Sequence, residues 1–328
     1  MNDSRPPLLV QRGWFWLGVL ALAGLIVGYE VYRKDRKPVV NEEFKTQRYI
    51  IPQPPVSEFT VKRVAELRDE LDANELVLGV MVGKEARAYP LNMLNAEPQT
   101  KVLNDVVAGR AIGVTWCDRC RTGIVFDRVV DGQTLTLGVF GSLWRDSMVL
   151  YDQETMTQWS QWEGKAKMGP LRGASLQRLP SVVAVWEDWR RQYPDGSVVL
   201  LEQRQNEFGQ GTYQDAAAYV LVVGEGAGAK TWSLADVAAQ RVVNDHWQDK
   251  PVAAFFLEKS GTAQLFERQL GERTLTFRWE QGALKDDATG SVWDPLTGRA
   301  SAGPLAGRQL TPLAGMVTSR SAWRYFHR

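Results

Sequence analysis

The 328-residue sequence predicts an α+β fold, predominantly β, in which one β-rich unit occurs twice, packed as two lobes behind an N-terminal transmembrane helix. Three observations carry that expectation. Short apolar runs of strand composition alternate with Gly, Pro, Asn and Asp turn signals through most of the chain. A set of residues recurs at one fixed spacing. Residues 14–29 (WFWLGVLALAGLIVGY) form a continuous apolar stretch. With Val31 and Tyr32 it reaches the ~20 residues that a membrane helix needs.

Composition narrows the function classes. Hydrophobic residues are 44% and charged residues 23%, so the body is globular rather than disordered. The net charge of +1 and the lack of a long basic run argue against a nucleic-acid partner. The 13 Trp read first as core anchors and only second as a ligand-stacking surface.

Taken in order, residues 1–13 are a tail and residues 14–32 an uncleaved membrane anchor, because no small-residue cleavage site follows the apolar run. Arg33, Lys34, Arg36 and Lys37 outnumber Arg5 and Arg12, and basic flanks stay cytoplasmic, which argues for a cytoplasmic body. Residues 33–60 are a polar, Pro-containing tether. Residues 61–71 (VKRVAELRDEL) place Val61, Val64, Leu67 and Leu71 at helical spacing behind Thr60 as N-cap, which predicts a helix. Leu76–Val82 and residues 86–89 read as paired strands, and residues 90–95 as a short helical turn.

Residues 111–116 and 124–130 read as strands on either side of a Cys-x-x-Cys turn. Asp131-Gly132 is a two-residue hairpin signal. Residues 134–140 are then the returning strand and 147–151 the next. Residues 181–193 (SVVAVWEDWRRQY) predict an amphipathic helix capped by Ser181 and stopped by Pro194-Asp195-Gly196. The expected organisation is a first repeat over 61–196, a polar linker over 197–218, and a second repeat over 219–328 without cysteines.

The repeat itself is explicit. Lys101-Val-Leu-Asn-Asp105 matches Arg241-Val-Val-Asn-Asp245, Phe126 matches Phe266, and Thr134-Leu-Thr-Leu137 matches Thr274-Leu-Thr-Phe277, all 140 positions apart. Asp152, Thr155 and Trp159 match Asp286, Thr289 and Trp293 at a spacing of 134, as does Gly169-Pro-Leu-Arg-Gly173 with Gly303-Pro-Leu-Ala-Gly307. The second copy is therefore six residues shorter somewhere between. Residues kept in both copies read as structural, with Asp and Asn serving turns. Residues present in one copy alone are candidates for function. Cys117 faces Leu257 and Cys120 faces Ser260, so the fold does not need the thiols.

On Ala86-Arg-Ala-Tyr-Pro90, Val102-Leu-Asn-Asp105, Thr115-Trp-Cys-Asp-Arg-Cys120, Met148-Val-Leu-Tyr-Asp152 with Thr155 and Trp159, and Gly169-Pro-Leu-Arg-Gly173, the chain resembles the bacterial proteins classed as domain of unknown function 3179. The resemblance covers residues 76–327. It departs from the family pattern at Asp118, where the family has Pro, and at residues 99–101, where the family often has a His. It implies a single-pass protein of the bacterial inner membrane with a periplasmic body, opposite to the charge count. It implies no activity.

A Cys-x-x-Cys turn suits two thiolates on a soft metal, a reversible disulfide, or a structural staple. Metal binding is the leading expectation, with Cys117, Cys120 and Met148 as ligands, copper or zinc as the candidate ions, and a metal-donor or metal-acceptor protein as partner. The pair should then be partly exposed near the junction of the copies. Four protein ligands for zinc would require carboxylates or His246, since His246 and His327 are the only histidines. Thiol redox is the first alternative. Arg119 and Arg121 favour a thiolate and Asp118 opposes it, while the following strand argues against a thioredoxin-like motif. A glycan-binding module or hydrolase is the second, drawing on Trp116, Trp144, Trp159, Trp162, Trp186 and Trp189 with Asp127, Asp146, Asp152 and Glu163.

Overall fold

The turn chemistry and β-branched runs fold as antiparallel sheets. The computed structural model describes residues 52–205 and 211–327, with the strand Phe44–Thr46 upstream. The tail, the apolar stretch 14–32 and most of the tether lie outside the described residues. Among the described residues, no helix is long and apolar enough to cross a membrane.

Each copy carries the same two four-stranded assemblies. In the first, Val102–Val107, Arg110–Cys117, Thr122–Asp127 and Arg178–Leu179 form one sheet. Its counterpart in the second is Val242–Trp247, Lys250–Leu257, Thr262–Glu267 and Thr311–Pro312. Even the register repeats: Asn104 pairs with Gly113, and Asn244 with Ala253. The other assembly is Leu137–Trp144, Ser147–Asp152, Gln158–Ser160 and Lys165–Met168 in the first copy, and Phe277–Glu280, Ala283–Asp286, Val292–Trp293 and Ala300–Ala302 in the second. Asp131-Gly132 does form its hairpin, with φ values of 49° and 82°. The hairpin closes over Gln133–Thr134 only, and the expected return over 134–140 gives way to a new strand from Leu137.

The residues common to both copies hold the sheets to one another. Buried Arg128 donates to the carbonyls of Ile112, Leu135 and Asp105. Arg268 donates in the same pattern to Val252, Leu275 and Asp245. Asn104 clamps the backbone of Leu137, and Asn244 that of Phe277, from within strands rather than turns. Asp152 accepts from Thr155 and the Trp159 indole, and Asp286 does the same for Thr289 and Trp293. Each is a buried or, at Asn244, half-buried polar group with its partners supplied, which is what makes it tolerable in a core.

Two predicted helices are corrected. Residues 61–71 begin as the strand Thr60–Arg63, paired with Ser197–Leu200, and continue as the 3-10 turn Val64–Glu66. The helical spacing does aim Val64, Leu67 and Leu71 at a core cluster, but the backbone takes a partner strand instead. Residues 181–193 divide into the strand Ser181–Val185, paired with Leu76–Val82, and the helix Trp186–Gln192 capped by Val185 rather than Ser181. The β-branched run in SVVAV explains the strand. The second copy repeats this with Met316–Ser319 and the helix Arg320–Phe326, 134 positions on.

The described residues from 52 onward belong to one compact unit, and the largest core cluster draws on both copies, from Trp116 and Val125 to Val252 and Leu265. Each copy's closing strand lies against the other's central turn. Ser319 N–H donates to the Cys120 carbonyl at 2.9 Å, and the Thr262 hydroxyl donates to the Val183 carbonyl at 2.6 Å.

Candidate functional site

Cys117 ends the strand Arg110–Cys117, and Thr122 opens the next strand directly opposite it. The intervening turn closes with Arg121 at φ 51°, the position held by Gly261 at φ 67° in the second copy. This bend brings the cysteines within 3.1 Å of each other and lets the Cys120 N–H donate to Cys117 Sγ at 3.3 Å. Both are free thiols. Neither is partly exposed, contrary to the expectation from sequence: Cys117 is 0% and Cys120 1% accessible. The turn does sit at the junction of the copies, through the contacts of Thr318 and Ser319 with the Cys120 carbonyl and of the Tyr213 hydroxyl with the Arg121 carbonyl.

What buries the thiols is a piece of chain that the second copy lacks. The arm Leu137–Trp144 has eight residues where Phe277–Glu280 has four. The extension accounts for the change of repeat spacing from 140 to 134. Its tip turns at Arg145 and Asp146, both at positive φ, and returns through Ser147 and Met148 over the cysteines. The Cys120 thiol donates weakly to the Asp146 carbonyl at 3.9 Å, and Arg119 on the cysteine turn pairs with the Asp146 carboxylate at 2.5 Å. In the second copy the space beside the equivalent turn is an open pocket of about 240 Å³ lined by Leu257, Glu258, Ser260 and Trp279.

The two thiols are electrostatically unequal. Burial opposes ionisation of Cys117, but the Cys120 thiol and the backbone N–H groups of Met148 and Cys120 outweigh it, and its pKa is lowered. The hydrogen bond to Cys117, with burial second, pushes Cys120 well above the ordinary thiol value. The pair is asymmetric, with ionisation favoured at Cys117 over Cys120.

Met148 lies in the same apolar cluster as both cysteines. Its backbone N–H acts on Cys117 as well, a role that side-chain reasoning could not reach. His246 lies exposed on the strand Val242–Trp247, and His327 stacks on Trp323. Among the described residues, no group of three or more His, Cys, Asp or Glu is placed to hold a metal. The carboxylates considered for glycan chemistry are engaged singly: Asp127 with Arg110, Asp146 with Arg119, Asp152 with Trp159, and Glu163 with Lys167. Trp116, Trp159, Trp162 and Trp189 are buried in the core and offer no stacking face.

The model of a family described as protein of unknown function (DUF3179) matches the chain twice, over residues 51–220 and 210–328, in step with the internal repeat. No match was found among curated proteins or among solved structures. The matched segments together span the whole body, and the chain belongs to the DUF3179 family.

Proposed function

We propose that the protein is a membrane-anchored thiol–disulfide redox protein, with Cys117 as the attacking thiolate and Cys120 as the resolving thiol. The observation that carries this is the approach of the two cysteines to 3.1 Å, with Cys117 Sγ receiving the backbone N–H of Cys120 at 3.3 Å. Low thiolate pKa on one sulfur and a retained proton on the other is the asymmetry that a two-step exchange needs. In the first step Cys117 thiolate attacks a disulfide R–S–S–R′, forming a mixed disulfide and releasing R′S⁻. Cys120 then gives its proton to R′S⁻ and attacks the Cys117 sulfur, expelling RS⁻. The pair is oxidised to a disulfide and the partner is reduced to two thiols, a two-electron exchange.

The co-reactant is a protein or low-mass disulfide, and it reaches the pair when the hairpin tip lifts. The exposed Arg119–Asp146 ion pair is the outer tie, and such surface pairs contribute only about 0–1 kcal/mol. In this proposal residues 14–32 anchor the chain in the bacterial inner membrane and the body lies in the periplasm, where dithiols meet oxidants.

Soft-metal handling is the second reading, favoured by the Met148 thioether in the same cluster as both thiols. Copper or zinc, exchanged with a metal-donor or metal-acceptor protein, would be the cargo. Two thiolates on tetrahedral zinc stand about 3.8 Å apart for a Zn–S bond of ~2.3 Å, the spacing that the two sulfurs would have to adopt.

The test is reaction of the full chain in detergent with an aromatic disulfide. Cys120→Ser should accumulate a mixed disulfide on Cys117, the parent should pass on to an intramolecular disulfide, and Cys117→Ser should react far more slowly. Equal trapping at Cys120 in Cys117→Ser would refute the assignment. Near-stoichiometric copper or zinc in the anaerobically purified parent, absent from the double variant, would move the function to metal handling.

A further inference from the structure

A larger cavity, of about 990 Å³, opens on the second copy's version of the cysteine turn, Glu258 to Gly261. It is independent of the thiol chemistry. Its opposite wall is built from first-copy residues: Glu75, just before the strand Leu76–Val82, and Asn92 in the short helix Leu91–Leu94. Volumes of ~300–1,000 Å³ are those of small-molecule sites.

Two oxygen atoms on this wall have no donor. Asn92 is 5% accessible, and its Oδ1 is buried without a hydrogen-bond partner. Glu75 Oε2 accepts from the Asp72 N–H at 3.2 Å, but Glu75 Oε1 is buried and unpartnered. The Asn92 amide also acts on the Glu75 carboxylate as a hydrogen-bond donor, so the two side chains are neighbours on this wall. Leaving each unsatisfied costs about 1–3 kcal/mol, more for a charged group, which a donor entering the cavity would recover.

Charge decides which donor. Lys259 is already held by Glu187 and Asp188, and Glu258 by Arg241. That leaves the carboxylates of Asp72 and Glu75 against the single guanidinium of Arg204, whose NH1 is spent on the Glu70 carbonyl. Burial raises the Glu75 pKa and outweighs the Asp72 N–H, the Arg204 charge and the Asn92 amide, which lower it. Leu76, Phe256 and Tyr213 supply apolar surface to an organic body.

We infer that this cavity binds a small organic amine, whose ammonium group donates to Glu75 Oε1 and Asn92 Oδ1. The probe is 1,4-diaminobutane, titrated calorimetrically into the full chain in detergent, beside sorbitol as a neutral hydroxyl donor and tetramethylammonium as a cation without N–H. Saturable binding of the diamine, with little heat from the other two, is expected. Glu75→Gln, which keeps the shape and the Asp72 contact, should weaken binding at least about tenfold, since charged hydrogen bonds are the strong ones. Glu267→Gln, which pairs with Lys250 and does not line the cavity, should leave it unchanged. Absence of saturable diamine binding, equal binding of sorbitol or tetramethylammonium, or equal losses in Glu75→Gln and Glu267→Gln would each overturn the assignment.

Discussion

The two copies share a fold and differ at one corner. In the first, the central turn carries two thiols under an eight-residue hairpin arm; in the second, the same turn carries Leu257 and Ser260 beside a four-residue arm and an open pocket. Ser260 answers its burial by bonding to Thr262 and the Leu257 carbonyl, and Leu257 by joining a core cluster. The second copy is thus an internal control. It records what the unit needs to fold, and the surplus in the first copy, thiols plus cover, is the part attributable to chemistry.

The comparison breaks first if the shared residues are not structural in both copies. Arg128→Leu and Arg268→Leu each remove three charge-assisted hydrogen bonds to backbone carbonyls and should each cost about 3–5 kcal/mol in chemical denaturation. Unequal losses, with one variant near the parent, would show that the copies are not equivalent supports. Asp152→Ala and Asp286→Ala should follow at about 2–3 kcal/mol each, since each leaves a buried indole N–H without its acceptor.

The next prediction exchanges the cover. Replacing residues 141–148 by the second copy's Gln-Gly turn should retain the fold and speed alkylation of Cys117 at least about tenfold, because accessibility limits a buried thiol. The sign of the pH dependence follows from the unequal thiols. Cys117 is depressed, so alkylation should climb as pH rises through a midpoint below the ~8.5 of an ordinary thiol, with Cys120 still protonated. A midpoint at or above that value would contradict the N–H stabilisation of Cys117.

The smallest effect sharpens the comparison most. Cys117→Ala with Cys120→Ser removes both thiols, gives the turn the Ser of the second copy without overfilling the site, and should cost no more than about 1 kcal/mol, since only one sulfur's packing is lost. A disulfide staple closing so short a loop would instead cost about 2 kcal/mol when removed.

Much of this was legible in the chain. The fixed spacing of Asn104 and Asn244, or Asp152 and Asp286, exposed the duplication, because the hydrogen bonds these side chains make require the same offsets in both copies. The loss of six residues between the matched blocks was visible too, and it marks the hairpin that covers the site. What the sequence did not reveal is that this extension lies on the cysteines: that depends on the packing of two sheets, and nothing in Trp144 to Met148 announces a lid. The misread helix at 181–193 had the same origin. Val182 and Val185 satisfy a helical face, and only the pairing of Ser181–Val185 with Leu76–Val82 decides for a strand. Glu75 and Asn92 carried no signal, since their interest lies in partners they lack.

The most direct measurement is the reduction potential of the Cys117–Cys120 pair in the full chain, equilibrated in glutathione and dithiol buffers and read by mass after alkylation. A single two-electron transition between about −120 and −270 mV, the span of working thiol–disulfide proteins, is the expected result, and it should vanish in the Ala/Ser variant. A midpoint below about −300 mV would make the pair a structural staple, and a pair that never oxidises would remove the redox function altogether.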